Sequence, residues 1–371
     1  MAALRFFFYL LMKPAALCFA LLGLTGILTP YTDPVVWWVP AFAGLFMPLI
    51  ILINIFILLF WGFHKKWWVI FPLVTILGNY NYFSTIFQWP GKESLIPDET
   101  PTLTIGSYNV EGFYWIAQNK VQKPIIHFVE KYGIDILCFQ EHCEESRIDS
   151  VTLKERIGLP FRRVFFNRHT DWANFGISIY SRYPILRSGE IDFQSQKNCS
   201  MWADILIGRD TVRIINNHLQ TTDVNPNRAK YNAYRSVKNW SGQARTLVNI
   251  LEQLKDNFQI RAKQAMQVRD VIDTTRYPVI VCGDFNDTPI SFTYNHIKGD
   301  RLQDGFEKCG KGYGHTFKGI KSLLRIDFIA YDTLFTGINY QSPHLPWSDH
   351  NPIVMNLSLR KTPTKSDALK D

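Results

Sequence analysis

The feature that most constrains this chain is a run of 27 residues, Val35–Trp61, without a single charged side chain. A helix needs roughly 20 apolar residues to cross the hydrocarbon core of a bilayer. Two more apolar stretches flank this run, at 6–29 and 67–87, and the first is interrupted by Lys13 and Pro14. Together they predict an all-α transmembrane region of about three helices over residues 1–90, with the lipid bilayer as its partner.

The positions of Lys and Arg predict how this region is oriented. Arg5 and Lys13 lie at the start of the first stretch, and Lys65 and Lys66 lie between the second and the third. Because loops rich in Lys and Arg stay in the cytoplasm, three spans place the C-terminal domain on the outer, periplasmic or extracellular side. If the first stretch does not cross, the domain is cytoplasmic instead. A cleaved signal peptide has a similar apolar run, but no small-residue cleavage site follows here.

The three stretches are typical of a multi-pass anchor. They contain no paired acid and base of the kind that transporters carry within the membrane, which argues against a transport or signalling protein. Aromatic residues are predicted to lie at the membrane interface where the spans end. These are Trp37, Trp38, Trp61, Trp67 and Trp68.

The composition changes between Gln88 and Glu99, where Pro, Gly and charged residues arrive together. This predicts a linker at 91–101, a catalytic domain at 102–360 and a polar tail at 361–371. Before Asp98 there are five Lys/Arg and two Asp/Glu, which leaves 35 and 30 for the remainder, a net charge of +5. Such a mild excess suits an anionic substrate, and it equally suits an ordinary soluble surface.

Short β-branched and aromatic runs alternate with helix-like segments from Leu103 onward. This pattern predicts an α/β domain in which two packed sheets are covered by helices. Cys138 and Cys282 fall inside predicted strands and are interpreted as small core residues, and no disulfide can be paired. The predicted strands are Leu103–Tyr108, Ile134–Phe139, Phe161–Phe166, Gly176–Ser181, Met201–Ile207, Val212–Asn217, Val279–Gly283, Ile326–Ala330 and Ile353–Leu357. The predicted helices are Lys120–Lys131, Tyr234–Lys255 and Ala262–Asp273.

A polar cluster follows or begins six of the predicted strands. Carboxylate, imidazole and carboxamide groups gathered at one edge of the sheets would suit a hard, oxygen-ligated cation beside a phosphate. No thiolate belongs to the set, which argues against zinc held by cysteine. The clusters are Asn-Val-Glu-Gly at 109–112, Gln-Glu-His at 140–142, Asn-His-Leu-Gln at 217–220, Asp-Phe-Asn-Asp at 284–287, Arg-Ile-Asp at 325–327 and Ser-Asp-His-Asn-Pro at 348–352.

Taken one at a time, several of these residues have ordinary structural explanations. Asn109 is of a type common in turns, and Glu141 is of a type common in the solvent-exposed first turn of a helix. His218 could be a hydrogen-bonded residue at the edge of a sheet. Asp327 is harder to explain in this way, because a carboxylate inside an apolar strand needs a partner. The presence of six such clusters in one chain indicates that they belong to one functional site.

In this order the clusters resemble those of the endonuclease/exonuclease/phosphatase superfamily, over about residues 102–358. The most specific part is Gly-Asp-Phe-Asn at 283–286, followed about 65 residues later by Ser-Asp-His at 348–350. The resemblance implies a four-layer α/β/β/α sandwich. It also implies a Mg²⁺-dependent hydrolase of phosphoesters, for which Mn²⁺ is an alternative cation because both prefer oxygen ligands.

The resemblance also implies the residues that bind the metal. Glu141 takes the place of the principal Mg²⁺ ligand, with Asn109 and Asp349 nearby. Glu111 falls where some members of the superfamily have Asp and completes the predicted set.

Five further residues match the catalytic positions of the superfamily. Asp284 resembles the residue that orients or deprotonates the attacking water. Asn286 and His218 resemble contacts to phosphate oxygens. His350 resembles the catalytic imidazole, and Asp327 the carboxylate behind it. The implied reaction is in-line attack of water on phosphorus, with charge stabilised by Mg²⁺ and His.

The substrate stays open between nucleic acid and a phospholipid headgroup. Inositol-polyphosphate 5-phosphatases usually have an Arg soon after Gly-Asp-x-Asn, and this chain has none there. Residues 221–276 carry ten Lys/Arg against five acids and could grip either anionic substrate, or could form an ordinary solvated helix pair. A catalytically inactive module that binds a phosphorylated ligand is the alternative to an enzyme.

Overall fold

The computed structural model describes residues 2–89, 102–113, 122–144, 150–222 and 240–359. The predicted linker at 91–101, the polar tail at 361–371 and residues 223–239 of the basic segment lie outside them. The chain divides into two units. The helical unit comprises Met1–Thr85, Gln220–Met266 and Asp287–Ile297. The sheet unit comprises Ile86–Leu219, Gln267–Asn286 and Lys298–Asp371.

Eleven α-helices occur among the described residues. They are α1 (Ala2–Ile27), α2 (Val39–Leu45), α3 (Met47–Phe63), α4 (Ile70–Gly78), α5 (Tyr80–Ile86), α6 (Gln122–Tyr132), α7 (Ser150–Arg156), α8 (Trp240–Asp273), α9 (Phe292–Lys298), α10 (Gly305–Cys309) and α11 (Gly319–Ser322).

Buried carboxamides hold α1 against its neighbours in the helical unit. Asn54 of α3 donates from Nδ2 to the carbonyl of Phe19 at 3.1 Å. Asn79, directly after α4, donates to the carbonyl of Gly23 at 2.9 Å. Both asparagines are almost fully buried. Polar side chains that bond to a neighbouring helix stabilise helix packing where the surroundings are apolar.

The prediction of about three membrane spans is wrong for the described residues. One helix, Phe7–Tyr31, is long and apolar enough to cross a bilayer. The second predicted span is broken into α2 and α3, which are bent by 74°. The break precedes Pro48, whose ring cannot supply a backbone N–H to continue the helix. The third reaches only from Trp67 to Gly78, about 18 Å, against the roughly 30 Å of a bilayer core.

Two side chains of this region make contacts within the protein. Trp61, which was predicted to lie at the membrane interface, is completely buried in a cluster with Met12, Ala16 and Ile57. Helix α1 continues through Lys13, whose ammonium group lies 5.7 Å and 5.9 Å from the ring centres of Tyr9 and Trp68.

Fourteen strands occur among the described residues, and all nine predicted strands are confirmed. They are β1 (Phe87–Gln88), β2 (Thr102–Asn109), β3 (Ile136–Glu144), β4 (Phe161–His169), β5 (Asn174–Ser181), β6 (Ile185–Ile191), β7 (Cys199–Ile207), β8 (Asp210–His218), β9 (Val279–Asp284), β10 (Leu302–Asp304), β11 (Gly312–Tyr313), β12 (Asp327–Asp332), β13 (Phe335–Gln341) and β14 (Ile353–Leu359).

Twelve strands of the sheet unit form two six-stranded sheets that pack face to face, and β1 and β11 form a separate two-stranded sheet. One sheet has the order β10-β12-β9-β8-β7-β6, and the other has the order β13-β14-β2-β3-β5-β4. Their inner faces share one core, in which Ile105 and Cys138 of one sheet pack with Ile214 and Cys282 of the other. The two cysteines are buried and unpaired, as predicted. The mixed α/β class and the two packed sheets are thereby confirmed.

Helices cover the outer face of the second sheet. Phe128 of α6 and Leu153 of α7 pack with Tyr108, Leu137 and Tyr180 of that sheet in a second apolar cluster. These layers account for three of the four that the sandwich requires. The helical layer on the outer face of the other sheet stays a prediction.

Strands that sequence reasoning missed are short or lie at sheet edges. β10 has three residues, and β6 and β13 are the edge strands of their sheets. Edge strands bury less of each side chain, so their apolar alternation is weak. β6, for example, exposes or half-exposes every residue before Ile191.

Helix α8 is a single helix of 34 residues, where two helices with a break after Lys255 were predicted. Within the helical unit, Phe258 is buried with Leu254 and Ala41. Arg261 is completely buried and pairs with Asp287 at 3.1 Å. Residues 256–261 include four polar residues but are held by the contacts of Phe258 and Arg261, so the helix continues through them.

We expect Arg325→Met to lower the free energy of unfolding by about 3–5 kcal/mol, because it leaves the buried carboxylate of Asp304 without the arginine that pairs with it. Arg325 donates to Asp304 Oδ2 at 2.9 Å, and both side chains are buried. Denaturant unfolding of the full chain in detergent measures the change. The control is Arg182→Met, which breaks a 2.8 Å pair with Asp135 whose arginine is 52% exposed and is worth about 1 kcal/mol or less. Equal losses in the two variants would contradict this assignment.

Candidate active site

Strand register alone aligns three of the predicted site residues. β8 and β9 are parallel, and His218 is the direct partner of Asp284. β9 and β12 are antiparallel, and Asp284 is the direct partner of Asp327. The three side chains therefore form one row across three adjacent strands, at the polar end of the first sheet. All three are buried.

The second sheet contributes Asn109 and Glu141 at the same end. Asn109 is the last residue of β2 and pairs with Gln140 of β3. The β3–β5 register shifts between Phe139 and His142, so Glu141 lies in an irregular stretch and has a φ of 53°. A left-handed backbone is uncommon for a residue with a Cβ and is characteristic of functional sites. The irregularity directs the Glu141 side chain away from the regular alternation of the strand.

Asn109 joins the two sheets at this end. Its Nδ2 donates to Glu141 Oε1 at 3.1 Å and to Asp284 Oδ2 at 3.0 Å. His218 Nε2 lies 3.5 Å from the same Glu141 oxygen and 3.9 Å from the same Asp284 oxygen. Two carboxylates, one carboxamide and one imidazole thus share one small space.

The backbone conformation explains why the Gly-Asp-Phe-Asn motif begins with glycine. Gly283 has a φ of 126°, and a Cβ on it would lie 2.0 Å from the carbonyl oxygen of Asn217 in the neighbouring strand. Only glycine allows this approach. Asn286, with a φ of 51°, donates from its backbone N–H to Asp284 Oδ1 at 2.8 Å and from Nδ2 to the carbonyl of Leu219 at 3.0 Å.

His350 and Asp327 form a hydrogen-bonded pair behind Asp284. His350 Nδ1 lies 2.9 Å from Asp327 Oδ2, which leaves Nε2 facing Asp284 Oδ2 at 3.7 Å. The N–H of Asp327 donates to Thr316 Oγ1 at 3.1 Å. The His350 ring packs against Phe317, with 5.1 Å between centroids. The imidazole is therefore fixed in orientation on both sides.

The charges of this cluster act strongly on each other. Burial raises the pKa of Asp284 to about 6, although nearby His350 and His218 oppose the rise. Burial by itself lowers the pKa of His350, but the carboxylates of Asp327 and Asp284 outweigh it and raise the pKa to about 10. The two carboxylates therefore favour the cationic form of His350.

Carboxylates at the rim of the site offer oxygen atoms to solvent. The side chain of Glu141 is 38% exposed and that of Asp349 is 49% exposed. Glu111 has a φ of 47°, and its Oε2 accepts the backbone N–H of Asp349 at 3.2 Å. Asn109 Oδ1 accepts the N–H of Glu111 at 3.1 Å. This all-oxygen donor set fits a hard divalent cation.

Among the described residues, the grouping that has the spacing of metal ligands consists of Asp284, Asp327 and His350, whose ligand atoms lie within 4.8 Å of one another. These three are buried, and the Asp327 and His350 atoms are already engaged with each other at 2.9 Å. That bond uses Nδ1 of His350 and leaves Nε2 facing Asp284.

Contacts link all nine predicted site residues into one network in the sheet unit. Other residues of the same sequence clusters belong to the core instead. Burial lowers the pKa of His142 to about 3, and its Nδ1 is hydrogen-bonded to Ser178 Oγ at 3.0 Å. Gln140 donates to Asn216 Oδ1 at 2.7 Å, between the two sheets.

Three further residues hold the site together; the sequence analysis missed Thr316 and Lys318 and assigned no role to Ser348. Thr316 anchors the backbone of Asp327, as described above. Lys318 donates from Nζ to the carbonyls of Leu345 and Ser348, at the base of the segment that carries Asp349. Ser348 donates from Oγ to the carbonyl of Asn109 at 2.7 Å. No spacing or periodicity marks Thr316 and Lys318, because their partners are backbone atoms brought near by folding.

Two family profiles match separate parts of the chain. The Endonuclease/Exonuclease/phosphatase family matches residues 106–350. A domain of unknown function (DUF8431) matches residues 5–86. No curated protein matches the chain.

Solved structures are similar in fold. An endonuclease/exonuclease/phosphatase family protein from Bacteroides thetaiotaomicron is 17% identical with a TM-score of 0.50, over 71% of this chain and 99% of that one. A protein of the same family from Leptotrichia buccalis is 14% identical with a TM-score of 0.51, over 69% of this chain and 100% of that one. Identities this low show the fold alone.

We expect Asp327→Asn to lower the pKa of His350 markedly, because it removes the carboxylate that binds the imidazolium. The pKa of His350, followed by NMR in the metal-free protein, measures this effect. The control is Asp210→Asn, an exposed carboxylate at the start of β8, which should leave it unchanged. An unchanged His350 pKa in Asp327→Asn would show that the pair does not act as described.

Proposed function

The chain belongs to the endonuclease/exonuclease/phosphatase family of phosphoester hydrolases, and we propose that it is a metal-dependent phosphodiesterase or phosphatase tethered to the membrane. The observation that carries the proposal is the placement of Asp284. This buried carboxylate lies within 3.9 Å of His218 and His350 and is hydrogen-bonded to Asn109. An arrangement of this kind is suited to holding a water molecule beside a phosphate.

Glu141, Asn109, Asp349 and Glu111 would hold the divalent cation, Mg²⁺ or Mn²⁺. Their oxygens are the preferred ligands of both ions. When bound, the cation supplies Lewis-acid stabilisation of charge on the phosphoryl oxygens. Glu141 and Asp349 keep part of their surface open, so a cation could reach their oxygens from solvent.

Asp284 would orient the attacking water and accept its proton. Its Oδ1 is held by the N–H of Asn286, so Oδ2 faces the shared space near His218 and His350. Asn286 and His218 would contact phosphate oxygens. His350, kept cationic by Asp327, would stabilise the negative charge that develops on those oxygens.

The membrane tether rests on the exposed apolar surface of the helical unit. Helix Phe7–Tyr31 is long enough to span a bilayer. Large apolar side chains on α1 and α3 are exposed, which is costly in water and favourable in lipid. They include Phe7, Leu10, Leu11, Leu17, Leu21, Leu49, Leu52, Phe56 and Leu59.

A single crossing with Arg5 in the cytoplasm places the sheet unit on the outer side. The domain limits at 1–90 and 102–360 and the fourth, helical layer of the sandwich are part of the same proposal.

A phospholipid headgroup or a nucleic acid is the proposed substrate class. A tether raises the effective concentration of the enzyme near lipid. The basic segment at 221–276 offers less positive charge for binding an anionic substrate than its composition suggests, because Arg261 pairs with Asp287 and Arg269 pairs with Asp273. The remaining rival is an inactive module that binds a phosphorylated ligand. It predicts binding of a phosphoester without turnover.

We expect Asp284→Ala and His350→Ala to lower kcat by about 100-fold or more, because each removes a group that acts on the reacting atoms. The assay is hydrolysis of bis-p-nitrophenyl phosphate, DNA, RNA and phospholipids by the full chain in detergent, with Mg²⁺. The chelated enzyme should be inactive, and Glu141→Gln should need more Mg²⁺ for half-maximal rate.

Matched controls separate catalysis from folding. His344→Ala and Asp210→Ala replace the same residue types at exposed positions and should retain activity. Turnover that survives Asp284→Ala would rule out the proposed mechanism. Absence of turnover in the unaltered chain, with phosphoester binding intact, would favour the inactive module.

We expect kcat/KM to fall about tenfold per pH unit on the acid side of pH 6. Asp284 acts as the carboxylate, so activity is complete above its pKa and is lost as the pH falls through about 6. A bound cation adds positive charge and moves the midpoint lower, never higher. A pH–rate profile measures this decline of kcat/KM at acid pH. A midpoint of the decline well above pH 7 would contradict Asp284 as the titrating base.

We expect a periplasmic reporter enzyme fused after Asp371 to be active and a cytoplasmic reporter to be silent. The single crossing by Phe7–Tyr31 requires this. If the α2–α3 pair is a complete span, the number of crossings becomes even and the reporters reverse.

A further inference from the structure

A large cavity of the sheet unit is lined by none of the nine site residues. It has a volume of about 890 Å³ and runs along β13, the edge strand of its sheet, where Ile338 and Gln341 line it. We call it the β13 pocket. Its size matches that of sites for small organic ligands.

The two-residue strand β1 builds one wall of the β13 pocket. Phe87 pairs with Tyr313 of β11, and Gln88 pairs with Gly312. The N–H of Gly314 donates to the carbonyl of Ile86 at 2.7 Å. These bonds fix the chain directly before Trp89, which lines the cavity. The wall is therefore a hydrogen-bonded ribbon.

The charged residues of the β13 pocket are two lysines. Lys308 and Lys311 line it, together with His315. Among the described residues, no aspartate or glutamate lines the cavity. A concave surface that carries bases alone concentrates a positive potential and attracts anions. The pocket thus favours a ligand with a phosphate or another compact anion.

Aromatic rings lie beside these bases. Trp89 is 81% exposed and Tyr313 is 40% exposed. The rings of Tyr313 and His315 are stacked, with 5.9 Å between centroids and 22° between planes. Exposed Trp and Tyr next to Lys are typical of residues that bind where a polar headgroup meets an apolar chain. The ligand therefore has an organic part as well as an anionic one.

We propose that the β13 pocket is a second binding site, for a phosphate ester, separate from the metal-binding site. Lys308 and Lys311 contact the phosphate, and Trp89 and Tyr313 contact the organic part. Thr316 lines the pocket and also accepts the N–H of Asp327, so one buried residue separates the two sites. The ligand chemistry is shared by two sources, a membrane phospholipid headgroup and a soluble phosphate ester.

The test is calorimetric titration of the full chain in neutral detergent with EDTA present, so that no metal-dependent turnover occurs. The probes are inorganic phosphate, glycerol 3-phosphate and the short-chain lipid dihexanoyl phosphatidylglycerol. We expect Lys308→Glu/Lys311→Glu to weaken binding at least about tenfold, and Trp89→Ala to weaken binding of the lipid most. Arg187→Glu/Arg209→Glu reverses the same number of charges at exposed positions away from the pocket and should bind normally.

The outcomes separate this proposal from the proposed function. Binding that survives His350→Ala but not Lys308→Glu/Lys311→Glu supports a second site, whether or not the chain hydrolyses any substrate. Tighter binding of the lipid than of glycerol 3-phosphate identifies the membrane as the source, and equal binding identifies the soluble ester. Binding lost in His350→Ala, unchanged in the lysine variant, or absent for all three probes would overturn the proposal.

Discussion

The hydrogen bond from Asn109 to Asp284 is the interaction on which the candidate site depends. The two residues end strands of different sheets, and the bond between them is 3.0 Å long. A buried carboxylate is costly without partners. Asp284 accepts hydrogen bonds from Asn109 and from the N–H of Asn286 and lies near the imidazoles of His218 and His350, so the polar ends of both sheets are held at one point. The cost of burial is met by contacts that also assemble the site.

The same burial determines the electrostatics. A desolvated Asp284 is harder to ionise and becomes a stronger base near neutral pH than an exposed aspartate. The pKa of His350 is also raised, but for a different reason: two carboxylates face its imidazole at close range. Two titratable groups whose pKa values are pushed apart by their surroundings are the usual basis for assigning acid and base roles. Left-handed backbone at Glu111, Glu141 and Asn286 is concentrated in the same place, as is common where side-chain direction serves function.

In the helical unit, the sequence predicted the composition better than the arrangement of the helices. Its apolar composition was evident from sequence, but the number of spans was not. Pro48 interrupts one apolar run, and another ends near Asn79, whose side chain turns back to bond the carbonyl of Gly23. Hydropathy measures how apolar a run is and carries no information on where its helix bends. A run of 27 uncharged residues can therefore form two helices that meet at 74°.

By itself the sequence determined the class of the sheet unit and nine of its strands, and it predicted the nine residues that meet in the candidate site. Alternating apolar residues reflect burial on one face of a strand, which is a local property. The short motifs also carry their own turn chemistry, as Gly283 does. Only the tertiary structure decided which motif faces which, because His218, Asp284 and Asp327 are far apart in sequence and become neighbours through strand register. Thr316 and Lys318 could not be predicted for the same reason. Their partners are backbone atoms, and a sequence does not show which backbone atoms a side chain will contact after folding.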